Sequence, residues 1–226
     1  MPGYGPMTHR FQAFRAAVTA LLFLAASAGA RAEEAKPAEI VAFGDSLSAG
    51  FGVGPGESFP EQLQAALTAK NYAVTVANAG VSGDTTTGGL QRLEWSVPPS
   101  ATLVILELGA NDALRGITPQ ITEANLDEML QKLKARGTRT LFAGMLAPPN
   151  MGEDYAAAFN PIYPRLAQRY GVAFYPFFLD GVAGERGLNQ ADGMHPTKAG
   201  VALIVQRLLP LVEEELKAAG VVPHQG

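Results

Sequence analysis

The sequence predicts an α/β fold: a single three-layer α/β/α domain on a five-stranded parallel sheet in the flavodoxin-like order 2-1-3-4-5. Three observations carry this expectation. Apolar runs of strand length alternate with longer segments of helical period, the pattern of a right-handed, doubly wound sandwich. The runs are almost continuously apolar and rich in Val and Ile, as strands covered on both faces require. Several of them also end in glycine or asparagine, where a sheet of this order places its functional groups.

The elements follow in order. Residues 1–32 read as a cleavable leader: Arg10 and Arg15 precede the apolar stretch Ala16 to Ala28, and Ala30-Arg31-Ala32 supplies a small-x-small cleavage pattern. The folded domain is therefore expected over 33–226, in the periplasm or outside the cell. Strands are predicted over Glu39–Phe43, Ala73–Ala77, Leu103–Leu108, Thr138–Met145 and Val172–Tyr175. Helices are predicted over Ser58–Lys70, Thr118–Ala135 and Pro196–Ala219, with Gly137 as a stop after the second. Tyr155–Tyr170 has helical period but contains Pro161 and Pro164, which predicts a kink or a late start. The tail after Leu216 is expected to fray.

Composition excludes several classes of function. Three leader arginines and no leader acid mean that the formal charge of −4 for the whole sequence becomes −7 without residues 1–32. A chain so acidic, with no basic cluster, suits neither nucleic acid nor an anionic membrane. No apolar run reaches the roughly 20 residues of a membrane-spanning helix. The absence of Cys rules out disulfides and thiolate chemistry, and one well-placed His makes a zinc site improbable. Neither a metal nor an organic cofactor is expected, and a monomer is.

The residues able to do chemistry stand at strand ends. Ser46 lies in Phe43-Gly44-Asp45-Ser46-Leu47-Ser48, after strand one, where a helical turn would aim backbone N–H groups outward. Gly80 lies in Asn78-Ala79-Gly80, after strand two, where a missing side chain would let its N–H approach a substrate oxygen, or simply permit a left-handed turn. Asn111 follows strand three in Gly109-Ala110-Asn111-Asp112, able to cap a helix or to offer a neutral amide to an oxyanion. Asp192-Gly193-Met194-His195-Pro196 has a spacing that can bring the carboxylate to the imidazole across one turn; Asp192 could equally cap the helix after Pro196. His is the side chain that titrates near neutral pH, so His195 is the candidate base. Together these residues supply a nucleophile, oxyanion donors and a base. Glu107, inside an apolar strand, needs a partner that the sequence does not name. The glycine-rich stretch Gly50–Gly56 matches no phosphate-binding pattern and reads as a flexible loop.

Gly44-Asp45-Ser46-Leu47, Gly80, Gly109-Ala110-Asn111-Asp112 and Asp192-Gly193-Met194-His195 resemble the four sequence blocks of the GDSL-type, or SGNH, hydrolases. The resemblance runs from Ile40 to the last helix. It is strongest to the bacterial periplasmic branch of thioesterases, lysophospholipases and arylesterases. It implies Ser46 as nucleophile, Asp192 and His195 as the rest of a triad, and Ser46, Gly80 and Asn111 as oxyanion-hole donors. It further implies hydrolysis of acyl-CoA thioesters, lysophospholipids or aryl esters through an acyl-enzyme, without a cofactor. Leu114, Pro148, Met151, Tyr155 and Phe159 are the expected lining of an acyl channel, since recognition lives in loops beyond the strand ends. Two alternatives stand beside this reading. A carbohydrate O-acetyl esterase would want aromatic platforms, and Trp95 is the only Trp. A non-catalytic binding protein would be expected to have lost Ser, Asn or His.

Overall fold

The computed structural model describes residues 36–224, so the predicted leader and its cleavage point lie outside the described residues. Five strands form one parallel sheet: β1 (Ala38–Gly44), β2 (Val74–Gly80), β3 (Leu103–Glu107), β4 (Arg139–Ala143) and β5 (Ala173–Tyr175). Their order is β2-β1-β3-β4-β5, as the alternation predicts. β3 is buried at every position, and β1 from Ile40 onward, which accounts for their unbroken apolar sequence. β2 is an edge strand, half exposed, and runs three residues beyond its apolar stretch through Asn78-Ala79-Gly80. An edge strand needs apolar side chains on one face only, so its end is not visible as a loss of hydrophobicity.

Eight α-helices occur among the described residues: α1 (Ser46–Ala49), α2 (Phe59–Ala69), α3 (Thr86–Ser96), α4 (Ala110–Leu114), α5 (Pro119–Ala135), α6 (Glu153–Phe159), α7 (Ile162–Tyr170) and α8 (Lys198–Ala218). α2 opens with a capping box, Ser58 and Glu61 satisfying each other's backbone donors. α2 packs on α8, while α3 packs on α5 and α5 on α7, giving the two helical layers. The predicted kink is a break: α6 ends at Phe159, Asn160-Pro161 intervenes, and α7 begins at Ile162. Pro210 is accommodated inside α8. The C-terminal tail does not fray at Leu216. That side chain is fully buried, the helix continues to Ala218, and the His224 N–H donates to the Asn71 carbonyl.

Helix α3 has no counterpart in the sequence-based expectation. It starts Thr86-Thr87-Gly88-Gly89, all poor helix formers, and therefore forms through packing. A side chain at Gly89 would collide with Leu108, so the glycine brings α3 close to the sheet.

The register brings Gly44, Gly80, Glu107 and Ala143 level at the carboxyl edge of the sheet. α1 sits directly on that edge. Gly80 is not left-handed; a Cβ there would collide with the Ala49 amide and stand 2.9 Å from the Asp45 carbonyl. Gly80→Ala must push α1 off β2, so we expect it to cost about 1–3 kcal/mol. Urea unfolding measures this as a lower midpoint at unchanged slope, whereas an unmoved midpoint would show that α1 tolerates the displacement.

Candidate active site

Ser46 is the first residue of α1, two residues beyond the end of β1. Asp45 caps the turn, its Oδ1 accepting from the Leu47 N–H at 2.9 Å, and Gly50 closes it in a left-handed conformation. At the head of a helical turn, the Ser46 N–H has no intrahelical acceptor and faces outward. Its hydroxyl lies 2.9 Å from His195 Nε2, across 149 residues of sequence. His195 Nδ1 in turn lies 2.6 Å from Asp192 Oδ2. The other carboxylate oxygen, Oδ1, accepts from the Met194 N–H at 2.9 Å and the His195 N–H at 3.0 Å. Those two backbone donors, with the imidazole, hold the Asp192 carboxyl down at about 2. Gly193, left-handed at φ 72°, lets the chain turn tightly enough to make them.

Asn111 is the second residue of α4. Its Nδ2 donates to Asp45 Oδ2 at 3.0 Å, which orients the amide and leaves its second N–H for another acceptor. Asp112 serves structure: it accepts from Thr86 at the start of α3 and from Thr122 in α5. Gly109 is left-handed, and a side chain there would collide with Tyr163, whose hydroxyl donates to the Leu108 carbonyl at 3.0 Å.

Gly80 does not fit the donor role expected of it. Its N–H is donated to Asn78 Oδ1 at 3.0 Å, and the residue is engaged in the β1–β2 pairing. The following turn, Val81-Ser82-Gly83-Asp84, is closed by the Asp84 N–H donating to the Val81 carbonyl; Val81 N–H donates to the Gly44 carbonyl. Gly83, at φ 81°, has its carbonyl held by Arg115 at the end of α4, at 2.6 Å. The turn beyond β2 is thus tied to the end of β1 and to α4, the element carrying Asn111.

Two further groups shape the site from beneath. Glu107 Oε2 accepts from Ser48 Oγ at 2.9 Å and from the Asp45 N–H at 3.3 Å, so β3 pins the turn on both sides of Ser46. Its Oε1 has no partner among the described residues. Burial, with the neighbouring Asp45 charge, raises the Glu107 carboxyl well above the ordinary range. Asp45 is pushed up to about 6 by burial, against the opposing hydrogen bonds from Leu47 and Asn111. Arg92, buried in α3, donates to the Ala79 carbonyl at 2.7 Å and the Gly44 carbonyl at 2.8 Å, and pairs with Asp84 at 2.7 Å. It ties the ends of β1 and β2 to the Gly83 turn. A lone Arg among the apolar positions of a helix was the available signal, but α3 itself was not foreseen.

Beside Ser46 and His195 opens a largely apolar cavity of about 510 Å³. Leu114 and Pro148 line it as expected, together with Leu146, Phe177, Leu179 and Met194. Met151, Tyr155 and Phe159 do not. Met151 packs beside Gly116, Tyr155 donates to the Ile117 carbonyl at 2.7 Å, and Phe159 is fully buried between Tyr155 and Tyr163. These aromatic residues support the wall instead of forming it. Trp95, 77 % exposed near the end of α3, is not part of the lining either and gives a sugar ring no platform there.

A hydroxyl, an imidazole and a carboxylate in one hydrogen-bonded line, beside outward N–H groups and an apolar cavity, can carry out nucleophilic acyl transfer. Comparison with known proteins agrees. Residues 42–203 match the model of the GDSL-like Lipase/Acylhydrolase family. "Esterase TesA" of Pseudomonas aeruginosa is 38 % identical over 182 residues, covering 80 % of this chain and 90 % of the relative. "Thioesterase 1/protease 1/lysophospholipase L1" of Escherichia coli K12 is 36 % identical over 181 residues, covering 78 % and 86 %. The crystal structure of AlinE4, described as an SGNH-hydrolase family esterase, superimposes with a TM-score of 0.67 at 44 % identity, covering 80 % of this chain and 97 % of that one. The chain belongs to the GDSL-like lipase/acylhydrolase family and is a hydrolase acting on ester bonds.

The raised Glu107 carboxyl makes a prediction about stability. The folded state holds its proton more tightly than the unfolded chain, whose glutamates titrate near ~4.3, so stability falls as pH rises from there through the folded value. Glu107→Gln cannot ionise and keeps an oxygen for Ser48 and Asp45. Thermal midpoints at pH 4.5 and pH 8 should show the variant gaining on the native protein at the higher pH. A difference that does not change with pH would mean that Glu107 is ionised in the fold throughout.

Proposed function

We propose that this protein is an exported, monomeric serine hydrolase cleaving medium- to long-chain acyl esters and thioesters, and aryl esters, through an acyl-enzyme. The observation that carries the reading is the unbroken line Asp192–His195–Ser46 opening on an apolar cavity. In the proposed cycle His195 takes the Ser46 proton as Oγ attacks the substrate carbonyl. The oxyanion is held by the Ser46 N–H, the free N–H of the Asn111 amide and, in place of Gly80, the Gly83 N–H. His195 then protonates the departing alcohol or thiol. Water, deprotonated by the same imidazole, attacks the acyl-enzyme and releases the acid, returning the proton to Ser46. Asp192 stays ionised throughout, fixes the imidazole's tautomer and balances its transient charge. The reaction consumes one water and needs no oxidant, reductant or metal.

The monomer rests on a single chain supplying every group of the site, and export rests on the leader-like residues 1–32. The substrate class rests on the cavity, which lies within the ordinary range for small-molecule sites and offers few polar partners besides the reacting groups. The names of the relatives point the same way, to esters and thioesters.

A fluorophosphonate probe should modify native protein at Ser46, and Ser46→Ala should abolish the labelling; modification elsewhere would overturn the assignment. Asn111→Ala should lower kcat by ~10²–10³, the usual loss for one oxyanion donor. Chain-length preference has its own check in a p-nitrophenyl ester series from acetyl to palmitoyl. Leu114→Asp and Leu179→Asp should reduce kcat/KM for the longer chains about tenfold more than for acetate, since each lost apolar contact is worth ~1–3 kcal/mol. Equal losses on short and long chains would remove the cavity from acyl recognition.

A further inference from the structure

The imidazole of His195 is fixed at both nitrogens, but those two hydrogen bonds define little more than an axis. Rotation about that axis, and drift of the loop that carries the ring, are left to other contacts. Residues 190–196 form a tight loop whose neck is closed by the Gln190 N–H donating to the His195 carbonyl at 2.7 Å and the Gly193 N–H donating to the Gln190 carbonyl at 2.9 Å. Residues 191–194 are exposed or nearly so. From this loop two hydrogen bonds reach across to the β1–α2 side of the site. One is His195 to Ser46. The other is Gln190 Nε2 donating to the Phe51 carbonyl at 2.7 Å, while the same amide nitrogen also donates to the Pro196 carbonyl at 2.9 Å.

The opposite loop is shaped to receive that contact. Gly52 is left-handed at φ 75°, and any side chain there would collide with the Gln190 amide. Gly50 and Gly56 are left-handed as well, so the glycine-rich stretch has a defined course. Phe51 projects from it with half its surface exposed. Its ring centroid lies 4.5 Å from that of His195, tilted by 39°. One face of the imidazole is thereby covered, and the positive charge that forms during acyl transfer meets a π-system. Phe51 is not part of the cavity lining, so acyl binding does not account for its exposure.

We propose that Phe51 and Gln190 are positioning residues for His195: Gln190 straps the histidine loop to the glycine-rich loop, and the Phe51 ring holds the imidazole in line with Ser46. The proposal rests on the reading of Ser46 as nucleophile and His195 as its base. Neither residue touches the reacting atoms. Their effect is to keep a proton-transfer distance that an exposed loop would otherwise let wander, and misplacement by about 1 Å can cost ~10²-fold in rate.

The test uses Phe51→Ala, Phe51→Tyr, Gln190→Glu and Gln190→Ala in the full chain, with p-nitrophenyl acetate as substrate and a fluorophosphonate as probe. Gln190→Glu keeps the side chain's length but removes both donated hydrogen bonds. Phe51→Ala and either Gln190 variant should lower kcat and the rate of Ser46 labelling ~10- to 100-fold, with KM within about twofold of native. Phe51→Tyr, which keeps the ring, should restore both. Thermal midpoints taken alongside separate this from a role in stability alone: a lowered midpoint with intact kcat overturns the proposal. So does a loss carried wholly by KM, which would make Phe51 a substrate contact. Native protein labelled at Ser46 with unaffected variants sinks the strap alone, whereas native protein that is not labelled there sinks the serine-hydrolase reading and the strap with it.

Discussion

Ser46 is held at the sheet edge because nothing larger than glycine fits beneath it. At Gly44 a Cβ would collide with Ser48 and Glu107, and at Gly80 with the backbone of Ala49. With those two positions empty, α1 settles onto the ends of β1 and β2. Glu107 can then reach up from β3 to Ser48 and Asp45, and Arg92 can clamp the Gly44 and Ala79 carbonyls from behind. The turn that carries Ser46 is therefore held from three strands at once, and the rest of the site is arranged around it.

Carboxylates around this point occupy contrasting environments. Asp192 lies near solvent and accepts two backbone N–H groups in addition to the imidazole, so its negative charge is secure. Glu107 and Asp45 are buried, and burial favours their protonated forms. Environments that separate acidic groups in this way allow one to act as a permanent anion and another as neutral scaffolding. An ionised Glu107 beneath Ser46 would oppose any negative charge developing there in the proposed acyl transfer; a protonated one does not. The buried acids and the Asn111 amide are thus parts of one electrostatic arrangement, linked through the Asp45–Asn111 hydrogen bond.

Much of this was legible before any coordinates. Ser46 and Asn111 could be singled out because each follows a strand-length apolar run, and His195 because it stands three residues after Asp192 in a glycine-containing turn; each carries a functional group that core packing does not need. The kink at Pro161 followed from proline's missing N–H. Other features left no local trace. Helix α3 begins with residues that favour no helix and forms through packing, with Leu93 buried and Gly89 close against Leu108. Phe159 and Leu179 are equally apolar in sequence, yet one is sealed in the core and the other faces the cavity. Gly80 has the chemistry of an oxyanion donor, but its N–H is taken by a neighbour only two residues away.

The order of strands, their parallel pairing and the side chains proposed to react were legible in the chain, because hydrophobic periodicity and turn residues act over a few neighbouring positions. The distances that make those side chains useful were settled elsewhere. Bringing residue 46 to within 2.9 Å of residue 195 and deciding which apolar residues wall the cavity both required distant segments to pack. Long-range packing depends on the shape of the whole core, and no stretch of sequence contains that shape.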